Sequence, residues 1–153
     1  MASGDELRAA MRRFPAGIAV LTVSRPFGVT VGSLVSVSLE PPLVSVAIGL
    51  DTQAHELVRE EGGFALSLLA GDQEALAQHF ARSMPPIALW QGVETREGAR
   101  GPLLEGALAW LECALDGEHR AGDHTIFVGG VERIELGRDG PGLVYRQGSY
   151  AQA

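Results

Sequence analysis

The stretch Gly28-Val-Thr-Val-Gly-Ser-Leu-Val-Ser-Val-Ser-Leu-Glu-Pro-Pro-Leu-Val44 sets the narrowest limits on the fold. β-Branched residues fill it, yet Thr30, Gly32, Ser33, Ser36 and Ser38 are threaded through them, and Pro41-Pro42 stops the run before another apolar run begins. Such composition bounded by turn residues reads as strand. A strand built for burial alone would not carry so many groups that need hydrogen-bond partners. Two readings fit. The hydroxyls face solvent from an edge strand, or they line a polar site where a ligand approaches the backbone closely, as Gly32 permits.

The rest of the chain supplies short runs separated by turns. Ser3 and Glu6 stand at capping-box spacing, and Leu7, Ala10, Met11 and Phe14 recur at i, i+3, i+4 and i+7. That spacing predicts a short amphipathic helix, ended by Pro15 and Gly17. Ile18–Val23 is a strand, and the turn Arg25-Pro-Phe-Gly28 joins it to the Gly28–Val44 stretch as a hairpin. Leu43–Ile48 is a third strand. Thr52 or Asp51 is placed to cap a helix over Ala54–Glu61, which Gly62-Gly63 ends. Phe64–Leu69 is a fourth strand, and Asp72 is placed to cap a helix reaching Ala81 with Leu76 and Phe80 on one face. Arg82–Gly106 holds Pro85-Pro86 and Pro102, so it reads as loop with at most a short strand or helical turn. Ala107–Leu115 is a strand by its place between turns, although its composition also suits a helix. His124–Ile134 and Leu143–Arg146 follow the turns Gly122-Asp123 and Gly137–Gly142, and Gly148-Ser-Tyr150 closes the chain behind them.

Six or seven strands in hairpin-like succession, with few helical crossovers, predict a mainly β protein. An antiparallel barrel with short helices, one domain over residues 1–153, is the expected architecture. Closing the barrel also removes exposed sheet edges.

Composition excludes several function classes. A net charge of −7 argues against binding nucleic acid through phosphate neutralisation. Every basic residue is Arg, so no lysine nucleophile or Schiff base exists, and phosphate must be met by Arg, hydroxyls or backbone N–H groups. Cys113 is the only cysteine, which rules out an internal disulfide and a multi-cysteine metal site. No apolar run approaches the roughly 18–20 residues of a membrane span. The start, Met1-Ala-Ser-Gly-Asp-Glu6, is acidic where a secretory leader would be basic, so the expected address is the cytoplasm.

Common catalytic signatures are missing. No Gly-x-Gly-x-x-Gly follows a strand, no Walker lysine is present, and the Gly-x-Ser-x-Gly elbow is absent. His55, His79, His119 and His124 show no paired metal-ligand spacing, and Ser33 and Ser36 lack a local base. Cys113 sits in an expected buried strand, the setting of an inert small hydrophobe. Gly122-Asp-His-Thr125 reads either as a turn in which Asp123 bonds its own backbone or as a presentation of His124.

Taken in order, several segments resemble the flavin reductase-like family, whose members have the FMN-binding split-barrel fold and act as NAD(P)H:flavin oxidoreductases. Phe14-Pro-Ala-Gly-Ile-Ala-Val-Leu-Thr22 is similar to the family's Phe-Pro-Thr-Gly-Val opening, and Gly28–Val44 is similar to its most recognisable segment. Gly62-Gly-Phe-Ala-Leu-Ser-Leu-Leu69, Leu111-Glu-Cys113, Gly122–Gly129 and Leu143–Tyr150 complete the set in the right order.

The resemblance implies a Greek-key split barrel, homodimeric, that uses NADH or NADPH to reduce FMN or FAD and hands reduced flavin to a partner monooxygenase. It implies that Thr30, Val31, Gly32 and Ser33, with Ser36, Val37 and Ser38, line the isoalloxazine and ribityl chain. Asp51, Thr52, Gln53 and Ala54 would approach the flavin phosphate. His124 would stand beside the nicotinamide nucleotide, with Gly148 and Tyr150 near it. Two departures mark this chain. Val31-Gly32 replaces the family's frequent Ala-Ser or Ala-Asn pair, and Arg82-Ser-Met-Pro-Pro-Ile87 stands where Asp-Arg-Phe commonly helps hold the phosphate. Arg82 is the candidate substitute, or hydroxyls and N–H groups take over. An FMN-retaining electron carrier, and an oxidase or monooxygenase acting on another substrate, remain open as alternatives. Small residues suit hydride transfer to flavin N5, because the cofactors supply the reactivity and the protein has only to stack the rings within about 3–3.5 Å.

Overall fold

Alternate residues of β2 (Ala19–Val23) serve two cores. Ala19, Leu21 and Val23 join Val46, Phe64 and Phe127 in one cluster, whereas Val20 joins Ile18, Phe80 and Leu89 in another. The period of two places one face inside the barrel and the other beneath helices, so the whole strand is buried and reads as a continuous apolar run.

The computed structural model describes residues 1–153. β2 lies in a seven-stranded antiparallel sheet. Its other strands are β3 (Phe27–Val31), β4 (Val35–Leu39), β5 (Pro42–Gly49), β6 (Gly63–Leu68), β9 (Ala109–Ala121) and β10 (His124–Leu136). Their order is β3-β2-β6-β9-β10-β5-β4, so β3 and β4, consecutive in the chain, occupy opposite edges. Laid flat, those edges would stand about 29 Å apart at the usual strand spacing. The link Gly32–Leu34 allows Val31 and Val35 at most about 15 Å. The sheet must therefore curl.

No backbone ladder closes the seam. Ser33 bridges it instead: its hydroxyl donates to Ala47 O and accepts from Ala47 N, both at 3.0 Å, on β5. Ser33→Ala leaves the half-buried Ala47 N–H and carbonyl without that partner and is expected to destabilise the fold by about 1–3 kcal/mol, read as a lower chemical-denaturation midpoint with an unchanged slope.

A small second sheet ties the two chain ends together. β1 (Ala16–Gly17) pairs with β11 (Leu143–Arg146), and β11 pairs with β12 (Ser149–Gln152). Gln147 and Gly148, with φ of 54° and 77°, form the two-residue turn of that last hairpin, a primed geometry that suits strand twist. The sequence predicts no strand after Leu143–Arg146, because β12 is set by its pairing with β11 rather than by its own composition. A short helix α4 (Pro86–Leu89) and a two-stranded ladder of β7 (Thr95–Arg96) and β8 (Leu103–Leu104) lie in the long irregular segment, as expected. Ala107–Leu115 is strand, and β9 runs on to Ala121 because β10 pairs along its charged end.

Two helix starts differ from expectation. Asp72 does not cap α3 (Glu74–Phe80); Gln73 holds that place, and Asp72 makes a forked ion pair with Arg138. That pair lowers the Asp72 carboxyl's pKa. Thr52 precedes α2 (Gln53–Glu61), but its hydroxyl donates to Gly49 O at 2.8 Å rather than capping. The capping box of α1 (Gly4–Met11) forms between Ser3 and Glu6, yet none of that helix is buried. Cys113 is fully enclosed, and burial pushes its thiol up to about 12, so it stays protonated and inert. No helix is long and apolar enough to cross a membrane.

Candidate functional site

β3 sits between two clefts because α3 packs tightly across it. The Phe80 ring lies 2.9 Å from where a Cβ on Gly28 would stand, and Thr30 Oγ1 donates to Ala77 O at 2.7 Å. Only glycine at position 28 lets the helix come so near.

The first cleft, about 580 Å³, has Ala16, Ile18, Thr30 and Gly32 on one side. Glu74, Gln78, Ala81 and Arg82 of α3 and its end form a second wall, and Tyr145, Gly148, Ser149 and Tyr150 of the terminal hairpin form a third. The second cleft, also about 580 Å³, is bounded by Phe27–Val29, Asp51–Gln53, Phe80 and the segment Ala81–Met84. The two meet at Ala81 and Arg82. Both volumes suit a cofactor-sized ligand.

The expected site residues divide accordingly. Thr30, Gly32, Arg82, Gly148 and Tyr150 line the first cleft, and Asp51, Thr52, Gln53 and Arg82 line the second. Ser33 holds the barrel seam from just behind Gly32. Val31 and Ala54 are buried in the barrel core and contribute through backbone position only. Ser36, Val37 and Ser38 stand on the edge strand β4 and line neither cleft. The Thr30 hydroxyl proton is committed to Ala77 O, leaving only its lone pairs for a ligand.

His124 opens β10, directly across from Gly49. Gly122, with φ of 61°, makes the tight turn that puts it there. Its Nδ1 donates to Asp123 Oδ1 at 2.7 Å, because a carboxylate only accepts, and the same bond lowers the pKa of Asp123. Nε2 is thereby left uncommitted. Around Gly49, Asp51 Oδ1, Thr52 Cγ2 and His124 Nε2 lie 3.2, 3.4 and 4.0 Å from a notional Cβ, so three expected residues converge there.

Several lining residues have no signal in the local sequence. Tyr145 reaches the first cleft by pairing with Ala16 across most of the chain. Burial, then Tyr145 and Glu74, push the Tyr150 phenol above its ordinary range, so it serves as a neutral donor. Glu74, Gln78 and Arg82, by contrast, recur at i, i+4 and i+8, and that polar stripe could have been read from the sequence. His55 is a core histidine, with Nε2 2.7 Å from Thr125 Oγ1 and Nδ1 3.1 Å from Glu56 Oε1.

The flavin reductase-like domain family matches residues 11–153. The chain belongs to this family. This flavin reductase-like chain is 40% identical over 150 residues to an NADH-dependent flavin reductase of Rhodococcus sp, covering 94% of the chain and 83% of that protein. It is 38% identical over 150 residues to the reductase component of 4-hydroxyphenylacetate 3-monooxygenase from Thermus thermophilus, covering 95% and 94%. Among solved structures it superposes on BorF, the flavin reductase component of a bacterial two-component tryptophan halogenase. The TM-score is 0.90 at 38% identity, over 98% of each chain. The antiparallel sheet with its short helices is the fold shared with that flavin reductase.

Proposed function

We propose that the protein is an NAD(P)H:flavin oxidoreductase that reduces FMN or FAD and supplies reduced flavin to a partner oxygenating or halogenating enzyme. The observation that carries this reading is the pair of clefts meeting at Arg82, floored at Gly32 by bare backbone, in a chain of the flavin reductase-like family. The residues fit a flavin. Gly32 offers its peptide without a Cβ in the way, Gln78, Ser149 and Tyr150 offer polar groups, and Arg82 is the cation at the junction.

When bound, the nicotinamide and flavin rings supply the hydride chemistry themselves. The chain's part is to hold and orient them. Gly32 and Thr30 border the ring site, Asp51, Thr52 and Gln53 with Arg82 border the phosphate side, and Gly148 and Tyr150 cover the outer end. Ser33, Val31 and Ala54 support that surface from behind, whereas Ser36, Val37 and Ser38 stand on the sheet edge outside both clefts. His124, oriented by Asp123, positions the nicotinamide nucleotide through Nε2. His124→Ala is expected to raise the nicotinamide Michaelis constant about tenfold, roughly the value of one hydrogen bond to a charged group, and the flavin constant far less. An unchanged nicotinamide constant removes His124 from the site.

Residues 1–153 act as one domain in this reading, and the working unit is a homodimer in the cytoplasm. The lone buried thiol suits a reducing compartment. Leu7 and Met11 of α1 and Phe14 just beyond it are 61%, 54% and 67% exposed, and Val35, Val37 and Leu39 of β4 are 56%, 52% and 88% exposed. Apolar surface on a helix and on an unpaired strand edge favours a second copy. Sedimentation equilibrium is expected to give twice the 16.1 kDa chain mass; a monomer contradicts the dimer.

Anaerobic mixing tests the activity. NADH or NADPH should bleach the visible absorbance of added FMN or FAD only in the presence of the protein. Colourless purified protein favours flavin as substrate; retained colour favours the FMN-keeping alternative.

A further inference from the structure

A buried polar pair stands directly behind the residues that converge on Gly49. His55 and Thr125 are 7% and 5% exposed, with His55 Nε2 2.7 Å from Thr125 Oγ1. His55 Nδ1 lies 3.1 Å from Glu56 Oε1, and a carboxylate only accepts. The neutral imidazole therefore carries its proton on Nδ1, and Nε2 accepts from the Thr125 hydroxyl. Around the pair the chain is apolar. Ala54, Leu57 and Val58 beside His55 on α2 are buried, and the Phe127 ring lies 5.4 Å from the imidazole. Two apolar side chains would fill this space without desolvating an imidazole and a hydroxyl.

The position of the bond in the chain gives it a use. Thr125 follows His124, and Asp123 precedes it. Asp123 O accepts from Leu50 N at 3.0 Å, and Leu50 and His55 are the residues on either side of Asp51–Ala54. The loop is thus fastened at both ends, to the two residues that flank His124. β5 stops at Gly49, so the backbone ladder secures only the Leu50 end. Inside the loop the backbone bonds are long: Thr52 N to Gly49 O at 3.2 Å and His55 N to Thr52 O at 3.3 Å. Farther along α2, Arg59 reaches Glu118 on β9, but both side chains are exposed and such a pair holds weakly. The buried bond is the tie that lies next to the loop.

We propose that the His55–Thr125 hydrogen bond is a positioning clamp that fixes the distance between His124 and the Asp51–Ala54 loop. The proposal rests on the reductase reading for what the two sides hold, the nicotinamide nucleotide at His124 and the flavin phosphate at the loop. Neither clamp residue touches a ligand. Their effect falls on the register of the two rings, and so on the rate of hydride transfer more than on binding.

The test uses the full chain. His55→Leu with Thr125→Val removes both partners together and leaves no buried group unpaired, so the thermal melt should change little. Amide hydrogen exchange at Thr52 and at residue 55 should quicken about tenfold, the equivalent of one hydrogen bond, while β6 amides keep their rates. Single-turnover oxidation of NADH with both ligands saturating should slow about tenfold, and both Michaelis constants should move far less. Thr125→Ser retains the hydroxyl and should retain wild-type exchange and turnover. If the double variant does not fold, Thr125→Val alone, close to threonine in shape, carries the same two measurements. Wild-type exchange at the loop, or a wild-type single-turnover rate, in a folded variant overturns the proposal. Should the wild type reduce no flavin at all, the reductase reading fails by itself. Exchange at Thr52 and residue 55 then decides the clamp, quickened rates supporting it and unchanged rates refuting it.

Discussion

Gly32→Val is expected to lower kcat/KM for the flavin roughly a hundredfold, the scale of loss when a reacting ring is displaced by about 1 Å. The same change should alter stability by no more than about 0.5 kcal/mol. The reason for the split is geometric. A Cβ at Gly32 would meet Ala16 Cβ and Ile18 Cδ1 at 3.5 Å, ordinary contact, and the residue's φ lies outside the left-handed region. The fold therefore accepts a side chain there. The cleft does not, because Ala16, Ile18 and Gly32 form its floor and valine's methyls would stand where the ring must lie. Gly28→Val offers the contrast: its side chain would strike the Phe80 ring at 2.9 Å and unseat α3. Flavin titration and thermal melts of the two variants separate loss of ligand from loss of fold. A Gly32→Val protein with wild-type flavin affinity would mean that the flavin lies elsewhere.

The second large effect belongs to Arg82→Ala, which should weaken FMN roughly 10- to 100-fold and leave riboflavin nearly unchanged. A charge-assisted bond to phosphate contributes about 1.5–3 kcal/mol, and riboflavin has no phosphate to lose. Arg82 is the one cation bordering both clefts, and no carboxylate is paired with it. Neutral Thr52 and Gln53 can add hydrogen bonds on that side but not charge, while Asp51 repels phosphate. Equal weakening of FMN and riboflavin would show that Arg82 touches the ring rather than the phosphate. No change in either would hand the phosphate to hydroxyl and N–H groups.

Much of the fold is legible because β strands announce themselves by composition and turn residues. The β2–β3 hairpin and the β9–β10 ribbon lie where apolar runs meet Arg25–Gly28 and Gly122-Asp123. What stayed hidden depends on partners far away in the chain. Asp72 has the look of a helix cap, but Arg138 claims it, and no local pattern reveals that pairing. The Gly28–Val44 stretch reads as one strand with hydroxyls along it. The structure breaks it at Gly32–Leu34 because a curled sheet needs its two edges joined there. Its hydroxyls also do work that composition cannot show: Ser33 stitches the seam and Thr30 holds α3. For the candidate site, residue type and family resemblance pointed to Gly32, Arg82, Gly148 and Tyr150, which do share one cleft. Tyr145 was out of reach, since only the pairing of β1 with β11 brings it in.

The central claim is that this chain turns over free flavin at the expense of a reduced nicotinamide. Steady-state oxidation of NADH and of NADPH, each with FMN and with FAD, tests it most directly. The expected result is a protein-dependent loss of nicotinamide absorbance that saturates with added flavin for at least one of the four pairs. No oxidation of either nucleotide with either flavin would contradict it.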